Sequence, residues 1–511
     1  MRSITMQLVL LAGVANAWGP WGWHGYDQLT VSTTSGHVHG KIDPEAPNVR
    51  QFLGIPYAQP PVGDLRWKAP EALSQPDKQL EATQLPPSCN QFLTSTGSSL
   101  YVRDVLEFNL QGLNRTGSTS EDCLTASVWT PVGQKHGGRW WGHSKQQGLP
   151  VLIYIYGGGF STGGQDVPYQ IPTQWVNRSP DHIVVSFNYR LNIFGFPAAK
   201  GLEDQNFGLL DQRAAVEWVK ENIGAFGGDP SRMTLFGQSA GAASVDYYNF
   251  AYPEDPIVTG LIMESGTAMI PIGGDATGGS FDLVANNVGC DGLANDTTAQ
   301  LACLRKVPAQ TIESFVANYS DRGASPGLEF GPIPDGNSVF QNYTTRALDG
   351  KQAKIPAIIG SNLDDGVAFA PYNPAGPNTT LAHAALLATF FCPGTKTIRL
   401  RQQTGRQTYS YRYSGNFTNI SPRPWMGAYH SSELPLLFGT HPNYRGPSTA
   451  LEYATSHAMQ DAWVAFAKDP VNGLESQDWK VCEKLGAKEV REFGDGVAAK
   501  DVSLAKVEAQ C

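Results

Sequence analysis

The feature that most constrains the fold of this 511-residue chain is the pentapeptide Gly-Gln-Ser-Ala-Gly at residues 237–241. It follows the short apolar run of residues 233–236 and precedes a stretch of small residues, an order that predicts a strand, a sharp turn and a helix. Glycines two positions before and after Ser239 remove Cβ atoms that would obstruct such a turn. The pattern therefore predicts a nucleophile elbow, in which Ser239 stands between a strand and the N-terminus of a helix.

The same five-residue pattern occurs a second time, at residues 159–163, and its serine is Ser161. The residues after this copy, Gly-Gln-Asp-Val-Pro at 164–168, do not favour a helix, because glycine and proline interrupt it. Only Ser239 lies between a credible strand and a credible helix. We therefore predict that Ser239 is the nucleophile and that Ser161 belongs to a structural loop.

Short apolar runs bounded by glycine or polar turns occur at residues 151–156, 183–187, 233–236, 261–263 and 355–359. They are continuous rather than alternating, which is typical of strands buried on both faces of a parallel sheet. Apolar residues at helical spacing predict a helix over 211–223, and later patterns predict a strand over 408–413 and a helix over 448–468. The chain is therefore predicted to be α/β, with a mainly parallel central sheet, and ligands are expected at the carboxyl ends of its strands.

The N-terminus has the pattern of a secretory signal peptide. Residues 1–17 combine a basic start at Arg2, an apolar core and a final Ala-Asn-Ala, which predicts cleavage before Trp18. The sequence has no later run of 18 or more apolar residues, so no transmembrane segment is predicted. We expect residues 18–511 to form a single domain, because they contain no low-complexity linker, repeat or abrupt change of composition.

The amino-acid composition indicates which kinds of molecule the protein is expected to bind. Charged residues make up 16% of the chain, the formal net charge is -9, and no cluster of Lys and Arg stands out, so nucleic acid is not an expected partner. The balance favours an uncharged or apolar substrate. In a eukaryotic host, export would also expose eight Asn-x-Ser/Thr sequons to glycosylation, although Pro180 disfavours the second; they begin at Asn114, Asn177, Asn295, Asn318, Asn342, Asn378, Asn416 and Asn419.

A serine nucleophile needs a base to take its proton and a carboxylate to hold that base, in the chain order serine, acid, histidine. Four histidines follow Ser239 in the sequence: His383, His430, His441 and His457. Two of them, His383 and His457, lie in predicted helices, and His441 precedes a proline. His430 lies in a loop after a strand and is the predicted base; the alternative is a surface histidine.

Two neighbouring carboxyl groups are candidates for the acid. Asp364 and Asp365 come shortly after the predicted strand of residues 355–359. Either could instead cap the segment that follows. Glu433 is near His430 in sequence but comes after it, which breaks the expected chain order, so we assign it a structural hydrogen-bonding role.

The reaction also needs hydrogen-bond donors for the oxyanion. Three consecutive glycines at residues 157–159 follow a predicted buried strand and let the main chain turn its amides inward. Ala240, the residue after the nucleophile, supplies another amide. Each well-placed donor increases the reaction rate by roughly 10²–10³-fold. The alternative interpretation of the three glycines is a flexible turn without a catalytic role.

These motifs together resemble the type-B carboxylesterases, an α/β-hydrolase family that includes cholinesterases, bile-salt-activated and fungal lipases, and non-catalytic adhesion relatives. The resemblance extends from about Phe52 to Cys511. Besides the elbow and the glycine turn, it rests on residues 52–58, 65–67, 120–124, 188–190, 208–213 and 226–230.

The resemblance implies the α/β-hydrolase fold and a role for each site residue. Ser239 would be the nucleophile, Asp365 the acid and His430 the base. The implied oxyanion donors are the amides of Gly158, Gly159 and Ala240. No metal and no organic cofactor is implied.

The resemblance also implies two structural ion pairs and two disulfides: Arg66 with Glu121, Arg190 with Asp211, Cys89 with Cys123, and Cys290 with Cys303. Cys392 has two possible partners, of which Cys511 is favoured over Cys482, and the odd number of cysteines leaves one thiol free.

The sequence departs from the family pattern at informative positions. The acid is Asp365 where the family usually has glutamate, so the backbone must compensate for the shorter side chain. Gln238 stands where glutamate is common, and this loss of a negative charge disfavours cationic choline esters. The segment between Cys89 and Cys123 lacks a tryptophan that could hold a quaternary ammonium group.

The sequence therefore predicts a secreted serine carboxylesterase that hydrolyses neutral small-molecule or lipid esters through an acyl-serine intermediate. One alternative is a lipase acting on water-insoluble acylglycerols, with a lid formed by apolar residues between Cys89 and Cys123. The other is a binding protein that kept the fold without the chemistry.

Overall fold

The computed structural model describes residues 28–92, 119–133, 148–443, 445–483 and 486–511. Three predictions lie outside these residues: the signal peptide at 1–17, the sequon at Asn114, and the apolar lid, whose residues fall within 93–118.

The strands of the described residues are β1 (Thr30–Thr33), β2 (Gly36–His39), β3 (Lys41–Ile42), β4 (Val49–Pro56), β5 (Gln79–Glu81), β6 (Ser88–Cys89), β7 (Thr119–Ser120), β8 (Thr125–Pro131), β9 (Leu149–Ile155), β10 (Ile183–Phe187), β11 (Gly228–Gln238), β12 (Gly260–Glu264), β13 (Ala357–Asn362), β14 (Thr408–Tyr413), β15 (Val490–Phe493) and β16 (Ala499–Val502).

The α-helices are α1 (Thr173–Arg178), α2 (Asn192–Gly195), α3 (Phe207–Asn222), α4 (Ala240–Ala251), α5 (Gly279–Asn287), α6 (Thr297–Leu304), α7 (Ala309–Asp321), α8 (Tyr343–Leu348), α9 (Thr379–Ala385), α10 (Cys392–Gln403), α11 (Leu434–Leu437), α12 (Ala450–Lys468) and α13 (Ala505–Glu508). A π-helical segment, Leu386–Phe391, joins α9 to α10.

Eleven strands form one sheet, in the order β16-β15-β14-β13-β12-β11-β9-β10-β8-β4-β3. The strands from β15 to β10 in that order pair in parallel, and antiparallel strands are added at both ends. Helix α4 packs against β9, β11 and β12, and α12 packs against β9, β11 and β15. The predicted α/β class with a mainly parallel sheet is confirmed.

The bounds of the predicted strands differ in instructive ways. Strands β10 and β14 span the predicted residues, whereas β11 begins at Gly228, five residues before the predicted apolar run. The antiparallel strand β8 was not predicted, although all seven of its residues are buried. It contains Ser127 and Thr130, which are buried with hydrogen-bond partners, so its sequence lacks the apolar run of a core strand.

The ion pairs implied by the resemblance are present. Arg66 Nε lies 2.6 Å from Glu121 Oε1, and Arg190 Nη2 lies 2.6 Å from Asp211 Oδ1. The structure forms disulfides between Cys89 and Cys123, between Cys290 and Cys303, and between Cys392 and Cys511. Cys482 is a buried free thiol.

In the described ranges, none of the helices has both the length and the apolar character needed to span a bilayer.

Candidate active site

The elbow at Ser239 has the strained geometry that its sequence predicts. Ser239 lies between β11 and α4 with φ 58° and ψ -121°, a backbone conformation that residues with a Cβ rarely adopt. A Cβ on Gly237 would lie 2.6 Å from the carbonyl of Gly241, and one on Gly241 would lie 2.0 Å from the carbonyl oxygen of Ile155. Both glycines are therefore required by close backbone contacts.

His430 and Asp365 form a buried pair. His430 Nδ1 lies 2.7 Å from Asp365 Oδ1, and both side chains are almost fully buried. The second oxygen, Oδ2, accepts hydrogen bonds from Ser265 Oγ at 2.9 Å and from the backbone N–H of Asn362 at 2.8 Å. A carboxylate oxygen accepts from Nδ1–H, which leaves Nε2 of the imidazole to accept a proton.

Asp364 has a different set of contacts from its neighbour. Its Oδ2 accepts from the backbone N–H of Ala428 at 2.9 Å, and its backbone forms an isolated bridge with Tyr429. A Cβ on Gly427 would lie 2.1 Å from the same carboxylate oxygen, and Gly427 has a φ of 57°. Asp364 therefore holds the loop that precedes His430, while Asp365 contacts the imidazole.

The remaining histidines have other partners. His383 Nε2 lies 2.8 Å from Gln510 Oε1, and His441 Nδ1 lies 2.7 Å from Ser448 Oγ. His457 lies on α12. Among the described residues around Ser239, none of these three histidines lines the cavity, whereas His430 does.

The glycine turn lies against the elbow. A Cβ on Gly157 would lie 3.0 Å from Ser239 Cβ, so this turn and the nucleophile are in direct contact. Gly158 and Gly159 have φ values of 112° and 63°, which glycine adopts without strain. The N–H of Ser161 donates to the carbonyl of Gly158 at 3.0 Å, so Ser161 closes the turn.

A cavity of about 740 Å³ opens at Ser239 and His430 and is also lined by the glycine turn. Its described walls contain no Asp, Glu, Lys or Arg. Aromatic side chains form much of them: Phe92, Tyr169, Phe330, Phe369 and Phe390. A mostly apolar cavity beside a serine and a histidine can hold an uncharged acyl or alcohol group next to the reacting atoms.

Several site residues were not identified from the sequence. The rings of Phe369 and Phe390 lie 5.1 and 4.6 Å from that of His430, and no local pattern marks them. Ser265 directly follows β12 just as Ser239 follows β11, so its place at a strand end was a usable signal. Gln238 is informative in the sequence for its lack of charge, and in the structure its Nε2 also lies 3.2 Å from His430 Nε2.

Comparison with known proteins identifies the family. A family model described as the carboxylesterase family matches residues 27–387 and 377–498. The chain belongs to the carboxylesterase family. It is therefore a carboxylic ester hydrolase, and the α/β-hydrolase fold implied by the sequence is the fold of this family.

Relatives of this carboxylesterase include both esterases and lipases. It is 47% identical over 445 residues to the chlorogenic acid esterase of Aspergillus niger, with 87% of this chain and 83% of the relative covered. It is 42% identical over 480 residues to secreted lipase 5 of Gibberella zeae, covering 89% and 88%. It is 30% identical over 508 residues to the cholinesterase of Mus musculus, covering 87% and 79%.

Proposed function

We propose that this carboxylesterase is a secreted serine esterase that hydrolyses neutral esters through an acyl-serine intermediate. The observation that carries the proposal is the 2.7 Å contact between Asp365 and His430, whose ring lines the same cavity as Ser239. A base held by a carboxylate, next to a serine on a nucleophile elbow, is the arrangement that acyl transfer requires.

In the proposed reaction, Ser239 Oγ attacks the ester carbonyl carbon while His430 Nε2 takes the hydroxyl proton. The amides of Gly158, Gly159 and Ala240 stabilise the oxyanion. The bond to the alcohol then breaks, and His430 returns the proton to the leaving oxygen. A water molecule attacks the acyl-serine with His430 as base, and the carboxylic acid leaves as Ser239 regains its proton.

Neutral esters are the proposed substrates because no charged side chain of the described cavity walls could pair with a substrate charge. Gln238, beside His430, is also uncharged. The similarity to a chlorogenic acid esterase and the phenylalanines of the cavity make esters of hydroxylated aromatic acids the first substrates to test.

Export is supported by similarity to a relative named secreted lipase and by the three disulfides among the described residues, which are typical of oxidising compartments. The proposal would be tested by expressing the full chain in a secreting host and sequencing the N-terminus of the protein in the medium. We expect the mature chain to begin at Trp18.

The catalytic assignment is tested by comparing the serines of the two copies of the elbow pattern. Ser239→Ala should lower kcat for a soluble p-nitrophenyl ester by on the order of 10⁴-fold or more, because the nucleophile is lost. Ser161→Ala is the matched control. Ser161 also lines the cavity and its Oγ donates to the carbonyl of Gly159 at 3.3 Å, but a backbone N–H makes the contact that closes its turn, so the variant should lose far less activity than Ser239→Ala. Equal loss in both variants, or loss in neither, would contradict the assignment.

A lipase is the second candidate, for two reasons. One is the similarity to secreted lipase 5. The other is that Phe369, in the cavity wall, and Leu381, on α9, are 49% and 50% exposed, which gives apolar surface to contact a lipid. Activity on tributyrin measured below and above its solubility separates the candidates, since only a lipase should become more active once the emulsion forms.

A further inference from the structure

Two buried glutamates lie behind the Asp365–His430 pair, outside the cavity. Glu264 ends β12, and Glu433 lies three residues after His430 at the start of α11. Both are 0% exposed. Neither takes part in the proposed reaction, so their protonation state is a separate property of the fold.

Strand register places Glu264 of β12 on the same face of the sheet as Tyr411 of β14, with Gly360 of β13 between them. Glu264 pairs with Gly360, and Gly360 pairs with Tyr411, so the side chains of Glu264 and Tyr411 point to the same face of the sheet. A Cβ on Gly360 would lie 2.2 Å from the Tyr411 ring, so this ring extends over the glycine toward β12.

Each carboxyl has one oxygen with a donor and one without. Trp463 Nε1 donates to Glu264 Oε1 at 2.7 Å, and Asn362 Nδ2 donates to Glu433 Oε2. Within the described residues, Glu264 Oε2 and Glu433 Oε1 are buried and have no hydrogen-bond partner. Glu264 pairs with Gly360, and Asn362 lies two residues further along β13, so Glu433, which accepts from Asn362, lies on the face of the sheet to which Glu264 points. A buried, unpartnered carboxylate oxygen is costly, and one proton shared by the two carboxyls satisfies both oxygens.

The charges around the pair do not neutralise it. In the described part of the chain, no Lys or Arg forms an ion pair or hydrogen bond with either carboxyl. The titratable groups that face the pair are the carboxyl of Asp365 and its partner His430, and the phenols Tyr154, Tyr411 and Tyr413.

The direction of the shifts agrees with this geometry. Burial, and then repulsion by Glu433, raises the pKa of Glu264 well above its usual value. Burial, and then repulsion by Asp365, raises the pKa of Glu433 as well. Two buried carboxyls that repel each other do not both ionise at neutral pH, as in acid pairs that share a proton.

We propose that Glu264 and Glu433 share a single proton, so that the pair carries one negative charge at neutral pH and acts as an electrostatic positioning pair for His430. The O–H of one carboxyl donates to the unpartnered oxygen of the other, which satisfies both oxygens. The remaining charge favours the protonated imidazole that forms while the serine proton is on His430.

Infrared spectroscopy of the folded protein detects the shared proton as a protonated carboxylic acid and does not depend on catalysis. At pH 7, wild type should show the C=O stretch of a protonated carboxylic acid, shifted in D₂O, and this band should lose intensity in Glu264→Gln/Glu433→Gln, whereas an unchanged band would overturn the proposal. The buried Glu452 is the matched control, because hydrogen bonds from His441 and Asn419 outweigh its burial and lower its pKa. Glu452→Gln should therefore keep the band. Absence of the band from wild type would overturn the proposal even if the double variant did not fold.

The pH profile of kcat/KM tests whether the pair carries a negative charge. The double variant removes one negative charge near His430, so the midpoint of the acidic limb should move to lower pH, while Glu452→Gln should not move it. An unchanged midpoint in the double variant would mean that the pair is neutral and would overturn the proposal.

This second readout rests on the proposed function, since it takes His430 as the base. The infrared readout does not. If Ser239→Ala remained active, the serine mechanism would fail while the band still tested the shared proton. If Ser239→Ala were inactive but wild type lacked the band, the serine mechanism would stand and only the shared proton would be overturned.

Discussion

Among single residues, Asp364 and Asp365 show how one step along the chain changes a carboxyl's contacts. Asp365 is fully buried and lies 2.7 Å from His430, whereas Asp364 accepts from the backbone of Ala428. Burial raises the pKa of Asp364 above its usual value, while the hydrogen bond from Ala428 opposes this. Asp365 orients the base, and Asp364 holds the loop that carries the base.

This difference predicts unequal effects of matched substitutions. Asp365→Asn should lower kcat on the order of 10³–10⁴-fold, because an amide neither fixes the imidazole tautomer nor stabilises its charge. Asp364→Asn keeps an oxygen that can accept from Ala428 and should change kcat by less than about tenfold. Steady-state kinetics at the pH optimum measure both, and a larger loss in Asp364→Asn would exchange the two assignments.

The buried glutamates predict how stability depends on pH. In the unfolded chain both glutamates release their protons near the ordinary pKa of 4.5, whereas the folded pair keeps one proton because burial raises the pKa of both carboxyls. From about pH 5 to pH 8 the folded state therefore binds one more proton, so the free energy of unfolding falls as pH rises, by at most about 1.4 kcal/mol per unit.

Glu264→Gln/Glu433→Gln should remove this loss. Its stability relative to wild type should therefore improve steadily from pH 5 to pH 8, as measured by urea unfolding at each pH. A constant difference between the two proteins across this range would contradict the raised pKa.

At the level of elements, the site depends on how closely β9 approaches the start of α4. A Cβ on Gly241 would lie 2.0 Å from the carbonyl oxygen of Ile155, the last residue of β9. The glycine turn begins two residues later. The spacing between strand and helix therefore sets the position of Ser239 relative to the amides of that turn.

Gly241→Ala should consequently disturb both stability and activity. We expect the free energy of unfolding to fall by about 1–3 kcal/mol because of overpacking. We expect kcat to fall about 10²-fold because the nucleophile is displaced. Gly394 in α10 is the matched control, because a Cβ there meets nothing within 4 Å. Gly394→Ala should stabilise the protein by about 0.5–1 kcal/mol. Thermal unfolding and ester hydrolysis measure both variants, and a harmless Gly241→Ala would contradict the close approach.

At the scale of the whole molecule, burial separates the sequons. Asn342 and Asn378 are exposed N-caps whose Oδ1 accepts backbone N–H groups, so a glycan on Nδ2 would leave each cap intact. Asn419 is 5% exposed, and its Nδ2 donates to the carbonyl of His441 and to Glu452. A glycan there would have no room and would break these hydrogen bonds.

If the chain is exported from a eukaryotic cell, we expect glycans on Asn342 and Asn378 and none on Asn419. Enzymatic removal of N-glycans in ¹⁸O-labelled water, followed by peptide mass spectrometry, identifies each occupied site. Occupancy of Asn419 in folded, active protein would contradict the packing described here, and removal of Asn378 by Asn378→Gln serves as the control for site assignment.

The sequence by itself determined the parts of this protein that depend on local pattern. The glycine spacing around Ser239 predicted a strand, a turn and a helix. Continuous apolar runs predicted the parallel strands β9 to β13, and an alternating pattern predicted β14. The resemblance to a known family added the ion pair between Arg190 and Asp211, which local spacing could not predict because 21 residues separate them. That residues 18–511 form one domain stays a prediction.

Tertiary structure decided contacts that local pattern left open. Local pattern did not choose between Asp364 and Asp365, the resemblance implied Asp365, and the backbone path after β13 brings Asp365 to His430. The partnership of Glu264 with Glu433 joins residues far apart in the chain. Asn419 looks like any other sequon until α12 packs over it. The reason is physical: sequence periodicity reports which face of an element is buried, whereas register and packing decide what that face contacts.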